Sequence, residues 1–357
     1  MDRSPELACL ILNVLIVLAV PAWRRIILPP LSADGQPAAA AGTQRFQIFD
    51  LAKGFAILAV IIIHVAGLLL EYYPEAPSQL LYFLDNVSRF AIPVFVTCSG
   101  LLLNPDSPSS EKLSSFFGRK ILRSFLPYVV CSTVIMLYWN APLTETVYAL
   151  FTGKAAPPYY FMVVLFQLYL AFPFLVRIRK FRWFLPAAFL ISLFVFITGI
   201  GWMIESIPLG FRYLFFFALG MRLRDSLLTE RIDRQSAVSA ALVCLLYVLS
   251  SMMFQGVYSN VQLTFGPAAL ILIFSLRAPL EKGSRLLMFV ARTGRSSLWI
   301  FLLHFALVEF IVWHLSGAQM PFYPALLITL LLSPLVSLPT AFLADKAYLT
   351  LLKRFGI

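Results

Sequence analysis

Residues 49–64 read FDLAKGFAILAVIIIH, an apolar run with Asp50 and Lys53 at its start and one histidine, His64, deep inside. In a helix each residue advances about 100° and rises about 1.5 Å. The eleven steps from Lys53 to His64 bring these side chains to within about 20° of one face, about 16 Å apart along the axis. Asp50 stands one turn below Lys53 on the same stripe. Ionisable side chains are costly inside an apolar segment, and they face a bundle interior or a watery path. A neutral imidazole, with an ordinary pKa of about 6.5, can take a proton from a hydroxyl as that hydroxyl attacks. His64, with Lys53 and Asp50, is therefore the first candidate for catalysis. The competing reading is a packed histidine bonded to a neighbour.

Two other histidines are present. His304, in SLWIFLLHF, falls midway along an apolar stretch, and packing and a site role stand equal for it. His314 falls at the end of that stretch, where an interfacial histidine is the plain reading. A second set of residues is Gly118-Arg119-Lys120-Ile121-Leu122-Arg123. In an α-helix, Lys120 and Arg123 are i and i+3 while Arg119 and Arg123 are i and i+4, so three cations gather at one side of a helix entry. Arginine grips phosphate through a planar two-donor fork, and lysine acts as a point charge. Basic residues in such a place also fix topology and touch anionic lipids. A third set is Arg89, Ser99, Gln167, Tyr169 and Arg212, polar residues in apolar surroundings. Arg89 and Arg212 could hold an acceptor or pair with Asp85 or Glu205; snorkelling to the outer headgroups is the alternative. No GxSxG, HExxH or CxxC pattern occurs, which removes most soluble-hydrolase and metal-site chemistry.

The elements that must position these residues are membrane spans. The chain has 357 residues, 60% of them hydrophobic and 13% charged, with a mean hydropathy of +0.86. A soluble domain is nearer half apolar and a quarter charged. The expected fold is all-α, a polytopic transmembrane helix bundle. The net charge of +11 does not point to nucleic acid, because the basic residues lie between apolar runs and not on one basic face. Cys9, Cys98, Cys131 and Cys244 are dispersed in apolar segments and read as packing residues, with neither a disulfide nor a metal implied.

A span needs about 20 apolar residues. Residues 1–28 hold one candidate, Leu7 to Trp23, whose leading Asp2, Arg3 and Glu6 do not make a basic signal-peptide head. It reads as an extra retained span. Residues 29–45, rich in Pro, Ala and Gly, read as a linker, and 46–357 as the main transmembrane domain. Ten core spans are expected near 48–70, 80–103, 124–140, 158–176, 183–204, 207–221, 237–255, 260–276, 296–316 and 322–344. With residue 50 cytoplasmic, 24 of the 28 lysines and arginines fall on the cytoplasmic side, as the positive-inside rule requires. The C-terminus is then inside. No internal repeat suggests a repeat-built transporter.

With those residues in view, the chain resembles acyltransferase family 3, a bacterial-centred family that O-acylates surface sugars and other acceptors. The resemblance runs over about residues 46 to 345. It rests on Asp50, on Lys53 with ten residues before His64, and on RFAIPVFVTCSGLLL from Arg89 to Leu103. Lys120-Ile121-Leu122-Arg123 is similar to the family's basic-x-x-Arg motif, and Tyr160 to Pro173 and Gly294 to His304 are similar to later segments. The resemblance implies ten spans in the bacterial inner membrane and a cytoplasmic acyl-CoA donor as co-substrate, with acetyl-CoA first. The acceptor would be an envelope glycan or glycolipid reached from the other side. By position, it makes His64 the catalytic base and Lys53 with Asp50 its motif partners. Arg119, Lys120 and Arg123 would hold the donor's phosphates. Arg89, Ser99, Gln167, Tyr169, Arg212 and His304 are the substrate-binding candidates. The chain departs from the family in its extra N-terminal span, and it reads as the stand-alone type, without a C-terminal SGNH-type domain. Two other readings are weighed. An exporter of an acylated product would need a continuous polar path and would consume no coenzyme A ester. A lipid-binding scaffold would leave the Asp50, Lys53 and His64 stripe idle.

Overall fold

The computed structural model describes residues 44–103, 113–200, 207–229, 232–253 and 262–354. The extra N-terminal span, and the linker up to its last two residues, lie outside the described residues. The described residues form α1 (Gln44–Tyr72), α2 (Ser78–Ser88), α3 (Ala91–Leu102), α4 (Leu113–Lys120), α5 (Leu126–Tyr138), α6 (Leu143–Thr152), α7 (Tyr160–Ile178) and α8 (Phe184–Thr198). There follow α9 (Leu214–Thr229), α10 (Arg234–Met253), α11 (Gln262–Ser275), α12 (Arg277–Glu281), α13 (Arg285–Arg295), α14 (Ser297–Gly317) and α15 (Phe322–Arg354). The fold is an all-α polytopic bundle.

Among the described residues, eight helical segments are long and apolar enough to cross a membrane. They account for eight of the ten expected core spans. The other two are shorter, for a reason visible in their residues. The expected 183–204 span ends as α8 after 15 residues, about 22 Å of helix against a hydrocarbon core of about 30 Å. It stops at Gly199, whose φ of 69° is left-handed and suits a residue with no Cβ. The expected 207–221 span begins with Pro208 and a 3-10 turn over Gly210–Tyr213 before α9 starts. The span expected at 80–103 is one segment in two pieces, α2 and α3. Pro93 has no N–H for the Arg89 carbonyl in a continuous helix, and the break falls at Arg89 and Phe90.

Breaks of this kind free backbone groups that hydrocarbon cannot satisfy. Two side chains take them up around the 207–213 break. Gln167 on α7 donates from Nε2 to the Pro208 carbonyl at 2.8 Å and accepts the Gly210 N–H at 2.7 Å. Ser192 on α8 donates to the Phe211 carbonyl at 2.9 Å and accepts the Phe215 N–H at 3.0 Å.

The bundle is built around α1, which packs against α2, α3, α11, α13, α14 and α15. Its closest approach is to α13, through glycines. A Cβ placed on Gly294 would stand 1.8 Å from the Asp50 carbonyl oxygen, and one on Gly54 would stand 2.0 Å from the Val290 carbonyl oxygen. Gly100 of α3 and Gly220 of α9 make a second close crossing, with added Cβ atoms 2.3 Å from the Phe217 oxygen and 2.1 Å from the Thr97 oxygen. Small residues let helix backbones approach where no water drives apolar faces together. A Gly294→Ala variant must push α13 off α1, and is expected to lose about 1–3 kcal/mol. Gly67→Ala, on the same α1 but with nothing within 4 Å of its added Cβ, is expected to leave the unfolding midpoint in detergent unchanged or slightly raised. Equal midpoints for the two variants would overturn this account.

Candidate functional site

The first half of the candidate site is the foot of α1. Lys53 Nζ lies 2.8 Å from Asp50 Oδ1, and Arg295, at the end of α13, places Nε 3.3 Å from Asp50 Oδ2. One carboxylate thus serves two cations, one from each helix of the glycine crossing. Asp50 and Lys53 are only part-exposed, at 16% and 20%, whereas Arg295 is 58% exposed. The pair with Lys53 is therefore the better shielded of the two. The structure brings Lys53 to Asp50 and not to His64, which is three turns further along α1.

The second half is the histidine end. His64 is half-buried on α1. Its ring lies against His304 of α14, with centroids 5.1 Å apart and planes tilted by 49°. It also stands perpendicular to Phe305 at 5.2 Å. His304 is fully buried at 0% exposure. Its Nδ1 lies 3.0 Å from the Ile300 carbonyl and 2.8 Å from the Phe301 carbonyl. Its Nε2 is buried and has no hydrogen-bond partner. His314 sits at the exposed end of α14 against Phe310 and Trp313.

Arg89, at the break between α2 and α3, donates from Nε and Nη2 to Asp85 Oδ2 at 2.9 and 2.7 Å. Asp85 is thus a partner of Arg89; Glu205, the other carboxylate offered by the sequence, lies outside the described residues. Arg89 stays within electrostatic range of His64, Tyr160 and Tyr213. The Tyr160 and Tyr213 hydroxyls stand near each other beside it. Arg212 lies with its guanidinium 4.4 Å over the Phe196 ring, and its buried Nε has no acceptor.

The structure divides the third set of sequence candidates. Ser99 donates to the Phe95 carbonyl at 2.9 Å and stands near the Tyr169 hydroxyl, while Lys120 Nζ lies 4.5 Å over the Tyr169 ring. These two therefore join the cation region and not Arg89 and Arg212. Gln167 is committed to the backbone of residues 208–210, which carries Arg212.

The cation region differs from its α-helical expectation. Residues Ile121–Phe125 form a π-helix, closed by the Leu126 N–H on the Ile121 carbonyl. The next residue, Pro127, has no N–H to continue that pattern onto the Leu122 carbonyl. The Tyr348 hydroxyl of α15 donates to that carbonyl instead. Lys120 points inward, half-buried over Tyr169, while Arg119 and Arg123 are exposed. One cation of the expected cluster therefore lines the interior and two stand at the rim. Among the described residues, no three His, Cys, Asp or Glu side chains converge to hold a metal ion.

A family model described as an acyltransferase domain matches residues 46–342. The chain belongs to acyltransferase family 3. No curated protein and no solved structure matches it. The protein is thus a membrane acyltransferase.

Several residues around the candidate site of this acyltransferase do not stand out in the sequence pattern. Arg295 is 245 residues from Asp50, and only the α1–α13 crossing joins them. Tyr160, Tyr213 and Phe305 are ordinary aromatics in apolar runs. The hint in the sequence is that Arg89 and Arg212, cations in apolar surroundings, each need company. The role of Gln167 carries a testable consequence. Gln167→Leu leaves the Pro208 carbonyl and the Gly210 N–H without partners, an expected loss of about 1–3 kcal/mol. It also frees the turn that seats Arg212. The measurement is the unfolding midpoint in detergent beside acyl-transfer activity, and an unchanged midpoint would contradict the stapling role.

Proposed function

We propose that the protein is an integral membrane O-acyltransferase of the bacterial inner membrane, with its C-terminus cytoplasmic. It would move an acyl group, acetyl first among the candidates, from cytoplasmic acyl-CoA to a hydroxyl of an envelope glycan or glycolipid. The enzyme class is transfer of groups other than amino-acyl groups. The observation that supports this most is the half-buried His64, set against His304 and Phe305 inside the bundle. An ionisable ring there has a cost that a functional role explains.

In this reading Arg119, Lys120 and Arg123 receive the phosphates of the acyl-CoA at the rim. Exposed arginines offer paired donors, and Lys120 stands further in as a point charge. The thioester lies deeper, at His64. One His64 nitrogen takes the proton of the acceptor hydroxyl as its oxygen attacks the thioester carbonyl. The carbon–sulfur bond then breaks, and the leaving thiolate takes that proton back from His64. No net charge is left in the bundle. Lys53 and Asp50, about 16 and 21 Å from His64 along α1, are too far to touch the reacting atoms. Their part is to hold α1 to α13 through Arg295. Arg89 and Arg212, with Tyr160 and Tyr213, form the polar wall against which the acceptor lies.

The test uses membranes containing the native chain or His64→Ala, given labelled acetyl-CoA and envelope glycolipid. Label is expected in a glycolipid with the native chain, and the variant should transfer at least about 100-fold more slowly with its unfolding midpoint retained. Near-native transfer by His64→Ala would sink the base assignment. Substrate movement across the membrane without consumption of any acyl-CoA would favour an exporter.

A further inference from the structure

His304 presents a hydrogen-bonding inventory that is one partner short. A neutral imidazole has one N–H donor and one bare nitrogen that accepts. The two groups around His304 Nδ1 are both carbonyl oxygens, of Ile300 and Phe301 at 3.0 and 2.8 Å. Carbonyls only accept, so the proton is on Nδ1. Nε2 is then a bare lone pair, fully buried and without a partner. Buried polar atoms with no partner are uncommon and costly. The neighbouring Tyr159 hydroxyl does not fill the gap, because it donates to the Leu302 carbonyl at 2.6 Å. The ring that faces His304 is His64, with centroids 5.1 Å apart. Two imidazoles joined nitrogen to nitrogen by a hydrogen bond of about 3 Å have centres about 5 Å apart.

We propose that His304 is a positioning residue for His64, its bare Nε2 accepting the N–H of His64. This rests on the reading of His64 as the base. The contact selects one His64 tautomer, because a nitrogen that donates to His304 leaves the other nitrogen bare and able to take a proton. When His64 takes the acceptor's proton, the second N–H of its imidazolium is already held by His304. The proton leaves again to the thiolate, and the His64–His304 bond persists through the cycle. The orienting partner is uncharged, where serine-hydrolase triads place a carboxylate. In a bundle without bulk water this avoids a second buried charge. The backbone carbonyls of Ile300 and Phe301 fix the His304 tautomer in turn, so α14 itself sets the direction of the chain of bonds.

The chain has three histidines, so nitrogen-15 labelling of histidine in the full-length protein in detergent gives a readable spectrum. The native chain is expected to show His64 as a single tautomer, one nitrogen protonated and one bare. In His304→Leu the two His64 nitrogens should average. Transfer from acetyl-CoA to envelope glycolipid should fall at least about tenfold in kcat, with KM for acetyl-CoA unchanged. His304→Gln, whose amide oxygen can accept in place of Nε2, should keep the single tautomer and recover most of the rate. A single His64 tautomer retained in His304→Leu would overturn the proposal. So would a His304→Gln variant that folds but transfers no faster than His304→Leu. If His64→Ala transfers normally while the tautomer still shifts in His304→Leu, the base assignment fails and the positioning contact stands.

Discussion

Inside hydrocarbon a polar group has no water to turn to, and each break in a spanning helix leaves backbone groups that a side chain must meet. The described residues show this at two points where the bundle departs from regular helix. Gln167 and Ser192 satisfy the turn before α9. Tyr348 satisfies the Leu122 carbonyl that the π-helix and Pro127 leave exposed. The break at Arg89 is different, because there the side chain itself carries a charge and Asp85 answers it. These irregular places adjoin the candidate site, and the bonds that satisfy them also position its residues.

The second organising feature is the close contact of α1 with α13. Gly54 and Gly294 allow two backbones to meet at distances no larger residue would permit. That approach brings Arg295 to the same carboxylate that pairs with Lys53. At the other end of α1, the partner is α14, which supplies His304 and Phe305. A single rigid helix therefore carries an ion-paired foot and a histidine head about 16 Å apart. In the proposed reaction the foot holds the bundle together and the head does chemistry. The cations that would meet a donor belong to neither end but to α4 and the π-helix beyond it.

Much was legible from residue order alone. The apolar fraction and the length of the runs determined a helical membrane bundle, because a bilayer accepts few other designs. The spacing of Lys53 and His64 placed both on one stripe of a helix, and the family pattern over residues 46–342 is a property of the sequence. The glycines and prolines that shorten α8 and split α2 from α3 were also visible, although hydropathy averaged over a window of about 20 residues passes over them.

Tertiary packing decided the partners. Hydropathy cannot say that Asp50 meets Arg295, that Ser99 and Tyr169 side with Lys120, or that Gln167 is bound to residues 208–210, because each contact joins segments far apart in the chain. Nor could spacing distinguish a packed His304 from a site residue. The proposal for His304 rests instead on two carbonyls at Nδ1 and a buried, unpartnered Nε2 in a ring packed against His64. The sequence by itself determined which residues are costly to bury in a membrane. Only the folded bundle decided which of them meet, since a hydrogen bond depends on distances of a few tenths of an ångström that helical periodicity does not control.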